Sequence, residues 1–99
     1  MTNNLRFTEA IRDKIITILK KHGAKKISIF GSYVRGEATP ESDLDIIVEF
    51  EQPMGLIKFV GIEFELSDSL GIKVDLLTEK SISPYLIDII RKEATVIYK

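Results

Sequence analysis

Apolar residues recur along this chain at two different spacings, which together predict both helices and strands. In three segments the spacing is three to four residues, which predicts amphipathic helices over 8–21 and 56–70 and a third that begins at Ser83. Ser83 is a suitable N-cap, and Pro84 suits the first helical position that follows it. We expect this third helix to bury an apolar stripe formed by Leu86, Ile87, Ile89 and Ile90.

Four shorter segments alternate apolar and polar residues or are rich in β-branched residues, which predicts strands. These segments are 26–30, 43–50, 72–78 and 95–98. Between the first two strands, the sequence predicts a short helical turn and then a polar loop. The order of elements is helix, strand, turn, strand, helix, strand, helix, strand, which argues for an α/β or α+β domain. We expect one domain over residues 1–99.

Composition narrows the function without identifying it. The chain has 14 Lys and Arg against 15 Asp and Glu, so it has no global positive field, and we expect no direct nucleic-acid binding. The absence of cysteine excludes disulfides and thiolate chemistry. No apolar run approaches the roughly 20 residues that span a bilayer. We therefore expect a cytoplasmic protein, and both homo- and hetero-oligomers remain open.

The clearest sign of chemistry is the pair Gly31-Ser32 followed, after ten residues, by Asp43 and Asp45. A Gly-Ser turn can offer backbone N–H groups and a hydroxyl to phosphates. The two aspartates are two residues apart in a predicted strand, so their side chains project from the same face and can converge on one cation. This spacing predicts a metal-assisted nucleotide site.

A third aspartate, Asp75, lies in the middle of the third predicted strand. If that strand is next to the second, Asp75 joins Asp45 in binding a second metal ion or acts as the general base. Mg²⁺ is the expected metal, with two ions, because it prefers carboxylate oxygens and completes its shell with water and substrate phosphates. Alternatively, Asp75 faces solvent or pairs with Lys73.

Arg35 follows the Gly-Ser turn and is a second candidate for the nucleotide site. Its planar guanidinium could bind a phosphate with two parallel hydrogen bonds. An ion pair with Glu37 or Glu41 on the protein surface is an equally good interpretation.

A family resemblance is carried by residues 31–36, Gly-Ser-Tyr-Val-Arg-Gly, and by residues 42–48, Ser-Asp-Leu-Asp-Ile-Ile-Val. These segments resemble the signature of the DNA polymerase β-like nucleotidyltransferase superfamily, and the short chain is most similar to the minimal nucleotidyltransferases of the MNT or MntA type. The resemblance implies the nucleotidyltransferase fold, a small mixed sheet flanked by helices. It also implies ATP as substrate and assigns phosphate and metal binding to the residues named above. Those residues are Gly31, Ser32, Asp43, Asp45 and Asp75.

The resemblance further implies a partner. Proteins of this type act as antitoxins of a small helical HEPN-domain ribonuclease of the HepT type, by transferring AMP from ATP to a tyrosine of that toxin. No residue of the chain itself identifies the acceptor. Two other functions therefore stay open: a non-catalytic module that neutralises a toxin by direct contact, and a nucleotidyltransferase that acts on a small molecule or an RNA end.

Overall fold

The structure is a computed structural model that describes residues 7–99 of the chain. The predicted helices and strands are present, with small shifts at their ends, and none of the helices in 7–99 is long and apolar enough to cross a membrane. In chain order the elements are α1 (Glu9–Lys21), β1 (Ala24–Phe30), α2 (Ser32–Arg35), β2 (Leu44–Phe50), α3 (Leu56–Leu70), β3 (Val74–Leu77), a 3₁₀ turn (Glu79–Ser81), α4 (Pro84–Glu93) and β4 (Thr95–Tyr98).

The four strands form one sheet in the order β3-β2-β1-β4. Strands β2 and β3 are parallel, whereas β1 runs antiparallel to both β2 and β4, so the sheet is mixed and the α+β class is confirmed. Phe30 is paired with Asp45, and Asp45 is paired with Asp75. Because directly paired residues of neighbouring strands project from the same face, these three side chains form one row across the sheet.

The opposite face of the sheet carries the hydrophobic core. Its strand residues pack with apolar side chains of α1 and α3, and each fully buried side chain of this size contributes about 1.5–3 kcal/mol relative to an exposed one. The largest fully buried side chains of this core are Ile15, Leu19, Ile27, Ile29, Leu44, Ile46, Val48, Ile62 and Leu66. The core thus leaves the acidic face of the sheet available for chemistry.

Helix α1 is fixed at both ends by polar contacts. The Thr8 hydroxyl accepts a hydrogen bond from the Ile11 N–H at 3.2 Å, which makes Thr8 the N-cap. At the other end, Lys21 Nζ and His22 Nε2 both bind the Glu65 carboxylate of α3, at 2.6 and 2.9 Å. These contacts join the two core helices at the surface.

The prediction of a buried stripe on α4 is wrong. Leu86 is 52% exposed and Ile89 is 62% exposed, and Ile87 and Ile90 are only partly covered. The apolar spacing correctly predicts an amphipathic helix, but spacing cannot report whether another element covers the apolar side. Among the described residues, none of the α4 side chains is fully buried.

Candidate active site

The Gly31-Ser32 turn connects the end of β1 directly to the one-turn helix α2. Gly31 has φ +85° and ψ −156°, a conformation that is essentially restricted to glycine. Its carbonyl accepts hydrogen bonds from the N–H groups of Val34 and Arg35, at 3.1 and 3.2 Å. Gly36, with φ +74°, ends the helix. Glycines thus fix both ends of the turn, and the turn places Ser32 and Arg35 on one short, well-defined helix.

Gly31 lies directly against the Asp45 carboxylate. A Cβ atom on Gly31 would overlap Asp45 Oδ2 and would come within 3.3 Å of Asp45 Cγ. The approach follows from the sheet register, because Phe30, the residue before Gly31, is the strand partner of Asp45. The structure therefore brings the turn and one of the predicted metal-binding aspartates into a single site.

The three predicted aspartates form one acidic cluster. Asp45 and Asp75 are partners in the parallel β2–β3 pair, whose strands are roughly 4.8 Å apart, and Asp43 immediately precedes β2. Burial, together with the negative charges of Asp75 and Asp43, raises the pKa of Asp45 from 3.8 to about 6. The sequence left open whether β3 lies next to β2; the structure places the two strands side by side, with Asp75 paired to Asp45.

Carboxylates alone do not complete a metal site here. Within residues 7–99 no group of three or more His, Asp or Glu side chains is arranged to hold a metal ion by itself. The donor chemistry nevertheless fits Mg²⁺, because the raised pKa of Asp45 identifies a position where negative charge is poorly compensated. Mg²⁺ commonly takes only one or two carboxylates and shares its other positions between water and substrate phosphates. Asp43, Asp45 and Asp75 fit that kind of shared site.

Arg35 lies at the edge of the acidic cluster and is held by two carboxylates. Its Nε donates to Glu37 Oε1 at 2.6 Å, and its Nη1 donates to Glu93 Oε1. The ion pair with Glu37 that the sequence left open is present, whereas Glu41 accepts a hydrogen bond from the Thr39 hydroxyl instead. The positive charge of Arg35 also opposes the rise in the pKa of Asp45. Arg35 is therefore close enough to the site to influence its charge.

Glu93 is a site residue that the sequence did not indicate. It is the last residue of α4 and lies 58 positions from Arg35 along the chain, so no local motif connects the two. Its charge also contributes to the raised pKa of Asp45. The sequence shows only that Glu93 lies just before β4. The pairing of β4 with β1 is what brings Glu93 close to Arg35.

Lys73 has a different partner from the one considered for it. Its Nζ lies 3.8 Å from Oδ2 of Asp43, the residue just before β2. Within the described part of the chain, no ion pair joins Lys73 to Asp75. The Asp75 carboxylate is half-buried and faces the row that contains Asp45. This arrangement argues against an Asp75–Lys73 pair.

Two cavities among residues 7–99 do not include the acidic cluster. They have volumes of about 540 and 380 Å³, and none of the six predicted site residues lines either of them. The larger one extends toward the other end of β2, around Phe50 and Met54. The Asp43 side chain is 39% exposed and is therefore accessible from solvent.

Comparison with known proteins gives a consistent result. The family model described as "nucleotidyltransferase domain" matches residues 12–97. The chain is 51% identical over 84 residues to MJ0435 of Methanocaldococcus jannaschii, a candidate protein adenylyltransferase, with 85% of this chain and 90% of that protein covered. It is 38% identical over 90 residues to the protein adenylyltransferase MntA of Thermococcus cleftensis, with 86% and 91% covered.

A solved structure agrees with these sequence relatives. A chain in the crystal structure of a toxin–antitoxin with AMP-PNP superimposes with a TM-score of 0.79 at 27% identity. The match covers 88% of this chain and 72% of that chain. The mixed sheet and its flanking helices are therefore an arrangement that a nucleotide-containing complex also adopts.

Proposed function

The chain belongs to the nucleotidyltransferase domain family, and we propose that it transfers AMP from ATP to a hydroxyl group of a partner protein. The observation that carries this proposal is the contact between the Gly31 backbone and the Asp45 carboxylate, with Asp75 in register beside it. This contact combines a phosphate-binding turn with an acidic cluster. The names of the two relatives support a protein as acceptor.

In the proposed reaction each site residue has a defined role. Gly31 and Ser32 bind the nucleotide phosphates, and Arg35 adds a cation beside them. Asp43 and Asp45 would hold Mg²⁺, and Asp75 would either complete a site for two ions or act as the general base. Bound Mg²⁺ would polarise the α-phosphate and offset the charge of the leaving pyrophosphate.

The transfer also requires an acceptor for the hydroxyl proton. The acceptor oxygen forms a bond to the α-phosphorus, the bond from that phosphorus to the bridging oxygen breaks, and pyrophosphate leaves. With Asp75 as the general base, the hydroxyl proton passes to its carboxylate, which lies beside Asp45 in the sheet. Most of the catalytic effect comes from positioning and from stabilisation of the phosphoryl charge.

We propose that the acceptor is a HEPN-domain toxin of the HepT type and that the chain acts as its antitoxin. The structural match to a toxin–antitoxin complex that contains AMP-PNP supports a partner of this class. The 39% exposure of the Asp43 side chain supports an acceptor presented by another protein, because a large molecule can approach this carboxylate. ATP is the proposed nucleotide.

The test combines the protein, ATP and Mg²⁺ with the HEPN-domain product of a neighbouring gene and measures the intact mass of that partner. We expect an added AMP mass with the wild-type protein and none with Asp43→Asn or Asp45→Asn. Asp68→Asn is the matched control, because Asp68 is an exposed aspartate of α3 outside the site. An unmodified partner in every sample would contradict the proposal.

A second candidate function is neutralisation of the toxin by contact alone. It is favoured by one observation, which is that the described carboxylates do not by themselves form a metal-holding group. The same experiment separates the two functions, provided that the ribonuclease activity of the partner is also measured. Inhibition that persists in Asp45→Asn without any added mass would favour contact alone.

A further inference from the structure

Arg35 and Glu93 are attached to the end of the same strand by two independent routes. Arg35 belongs to α2, which follows β1 through Gly31. Glu93 ends α4, and Thr95, two residues later, is paired with Ile29 of β1. The N–H of Ala94 donates to the Ile90 carbonyl at 2.8 Å, which closes the helix just before the strand. The two side chains therefore meet at a place that the sheet register determines.

The ion pair with Glu93 is better shielded from water than the one with Glu37. The Glu93 side chain is 25% exposed, against 65% for Glu37. Screening by solvent weakens an exposed ion pair, so Glu93 is the partner that fixes the guanidinium more strongly. Together the two carboxylates use two of the five N–H donors of Arg35, and the remaining donors have no acceptor among residues 7–99.

Arginine has a long side chain that loses considerable rotamer freedom when it binds a ligand. A partner that orders the guanidinium beforehand reduces that cost, which improves affinity without a new contact to the ligand. Glu93 can order the Arg35 guanidinium in this way, because the two side chains form an ion pair. The pair lies near the Asp45 carboxylate, since the charges of both residues affect the pKa of Asp45.

We propose that Glu93 is a positioning residue for the nucleotide: its carboxylate holds the Arg35 guanidinium beside Asp45, so that the free N–H groups of Arg35 meet the phosphates. This inference rests on the proposed function in assigning a nucleotide to the site. It adds a residue of α4, distant in sequence, to the set that determines nucleotide affinity. Glu93 acts through Arg35 and does not touch the nucleotide itself.

The chain offers a matched control on the same helix. Arg91 of α4 donates to Glu79 Oε1 at 2.6 Å, so Glu79 and Arg91 form a second carboxylate–guanidinium pair. Glu79 lies in the 3₁₀ turn before α4, and its charge is not among those that act on Asp45. Glu79→Ala therefore removes a similar ion pair from α4 without disturbing the acidic cluster.

The experiment measures the affinity for AMP-PNP with Mg²⁺ by calorimetry, together with thermal unfolding of each variant. We expect Glu93→Ala to weaken binding about three- to tenfold, the size expected for one ordered long side chain. Glu93→Gln, which keeps the acceptor oxygen, should recover most of that loss. Glu79→Ala should bind like the wild type. In an Arg35→Ala background, Glu93→Ala should have no further effect, because the two residues act as one unit.

Three results would overturn the inference: Glu93→Ala binding as tightly as the wild type or more tightly, equal losses in Glu93→Ala and Glu79→Ala, or additive losses in the double variant. AMP transfer by the wild-type protein is measured separately and reports on the proposed function. Binding without transfer would contradict the proposed function and leave the role of Glu93 intact. Transfer with an unaffected Glu93→Ala variant would contradict this inference alone, and a wild type that does not bind AMP-PNP contradicts both.

Discussion

Gly31 places its α-carbon against the Asp45 carboxylate so closely that a methyl group on Gly31 would overlap Oδ2 of that carboxylate. The contact joins the end of β1 to the second residue of β2, where Phe30 and Asp45 are strand partners. Glycine is needed at this position for two reasons. Its backbone conformation is one that other residues rarely adopt, and a side chain there would overlap Asp45. The position of the Asp45 carboxylate therefore depends on a glycine at residue 31.

Gly31→Ala should damage both stability and activity. The added Cβ overlaps Asp45, and the backbone conformation of Gly31 costs about 1–3 kcal/mol for a residue other than glycine. Displacement of the aspartate by about 1 Å should lower AMP transfer by about 100-fold. Chemical denaturation and the mass assay measure the two effects.

The control for this substitution is Gly61→Ala in α3. A Cβ on Gly61 has no neighbouring atom within 4 Å, and alanine is a better helix former than glycine. We expect Gly61→Ala to raise the free energy of unfolding by about 0.5–1 kcal/mol and to leave transfer unchanged. Equal behaviour of the two variants would contradict the importance of the Gly31–Asp45 contact.

Asp45→Asn should make the metal-free protein more stable at neutral pH. The pKa of Asp45 is raised to about 6, so its protonated form is favoured in the folded state. The stability that this proton provides is complete below the ordinary value of 3.8 and is lost as the pH rises through 6. Asparagine does not titrate. The difference in unfolding free energy between the variant and the wild type should therefore grow from pH 4 to pH 6 and stay constant above it.

Mg²⁺ should stabilise the wild-type protein against heat at pH 7.5, because a cation offsets the repulsion among the three aspartates. The rise in melting temperature should increase with the Mg²⁺ concentration and should be absent in Asp43→Asn/Asp45→Asn. Scanning fluorimetry with and without a chelator measures it. Equal shifts in the wild type and the double variant would indicate a non-specific salt effect.

Tyr33→Phe should raise stability. The Tyr33 side chain is 4% exposed, and its hydroxyl has no hydrogen-bond partner among residues 7–99. Burial accordingly raises the pKa of this hydroxyl. Removing an unpaired buried hydroxyl should raise the free energy of unfolding by about 1 kcal/mol. Tyr85→Phe, at an exposed position of α4, should cause no change, and a loss of stability in Tyr33→Phe would show that the hydroxyl is satisfied in solution.

Two isoleucines test the packing of the helices. Ile62 of α3 is 2% exposed, so Ile62→Ala should cost about 2–5 kcal/mol through lost burial and the cavity that remains. Ile89 of α4 faces outward, and Ile89→Ala should change stability by less than about 0.5 kcal/mol. Urea denaturation compares them. A large cost at Ile89 would show that the outer side of α4 is covered in solution.

Local sequence determined the secondary structure because its signals act over short distances. The alternation of Leu44, Ile46 and Val48 decided which side of β2 enters the core, and this decision left Asp45 on the other side. The spacing of Asp43 and Asp45 after the Gly-Ser turn predicted only that these two carboxylates converge. The bounds of the strands differed by one or two residues, as expected where strand ends depend on hydrogen bonds to neighbouring strands.

Sequence could not determine which elements meet. Whether Asp75 reaches Asp45 depends on β3 lying parallel to β2, and whether Glu93 reaches Arg35 depends on β4 pairing with β1. These pairings join residues that are far apart in the chain, and no local periodicity encodes them. The apolar side of α4 illustrates the same limit, because its spacing specifies a helix but not what covers it.

The sequence by itself therefore determined the helices and strands, the Gly-Ser turn and the identity of the three aspartates. Tertiary structure alone decided that a backbone atom of Gly31 lies against Asp45 and that a glutamate from α4 holds Arg35 beside it. The physical reason is that propensity and periodicity are properties of neighbouring residues. The charge and shape of a site are instead properties of side chains that the sheet register brings together.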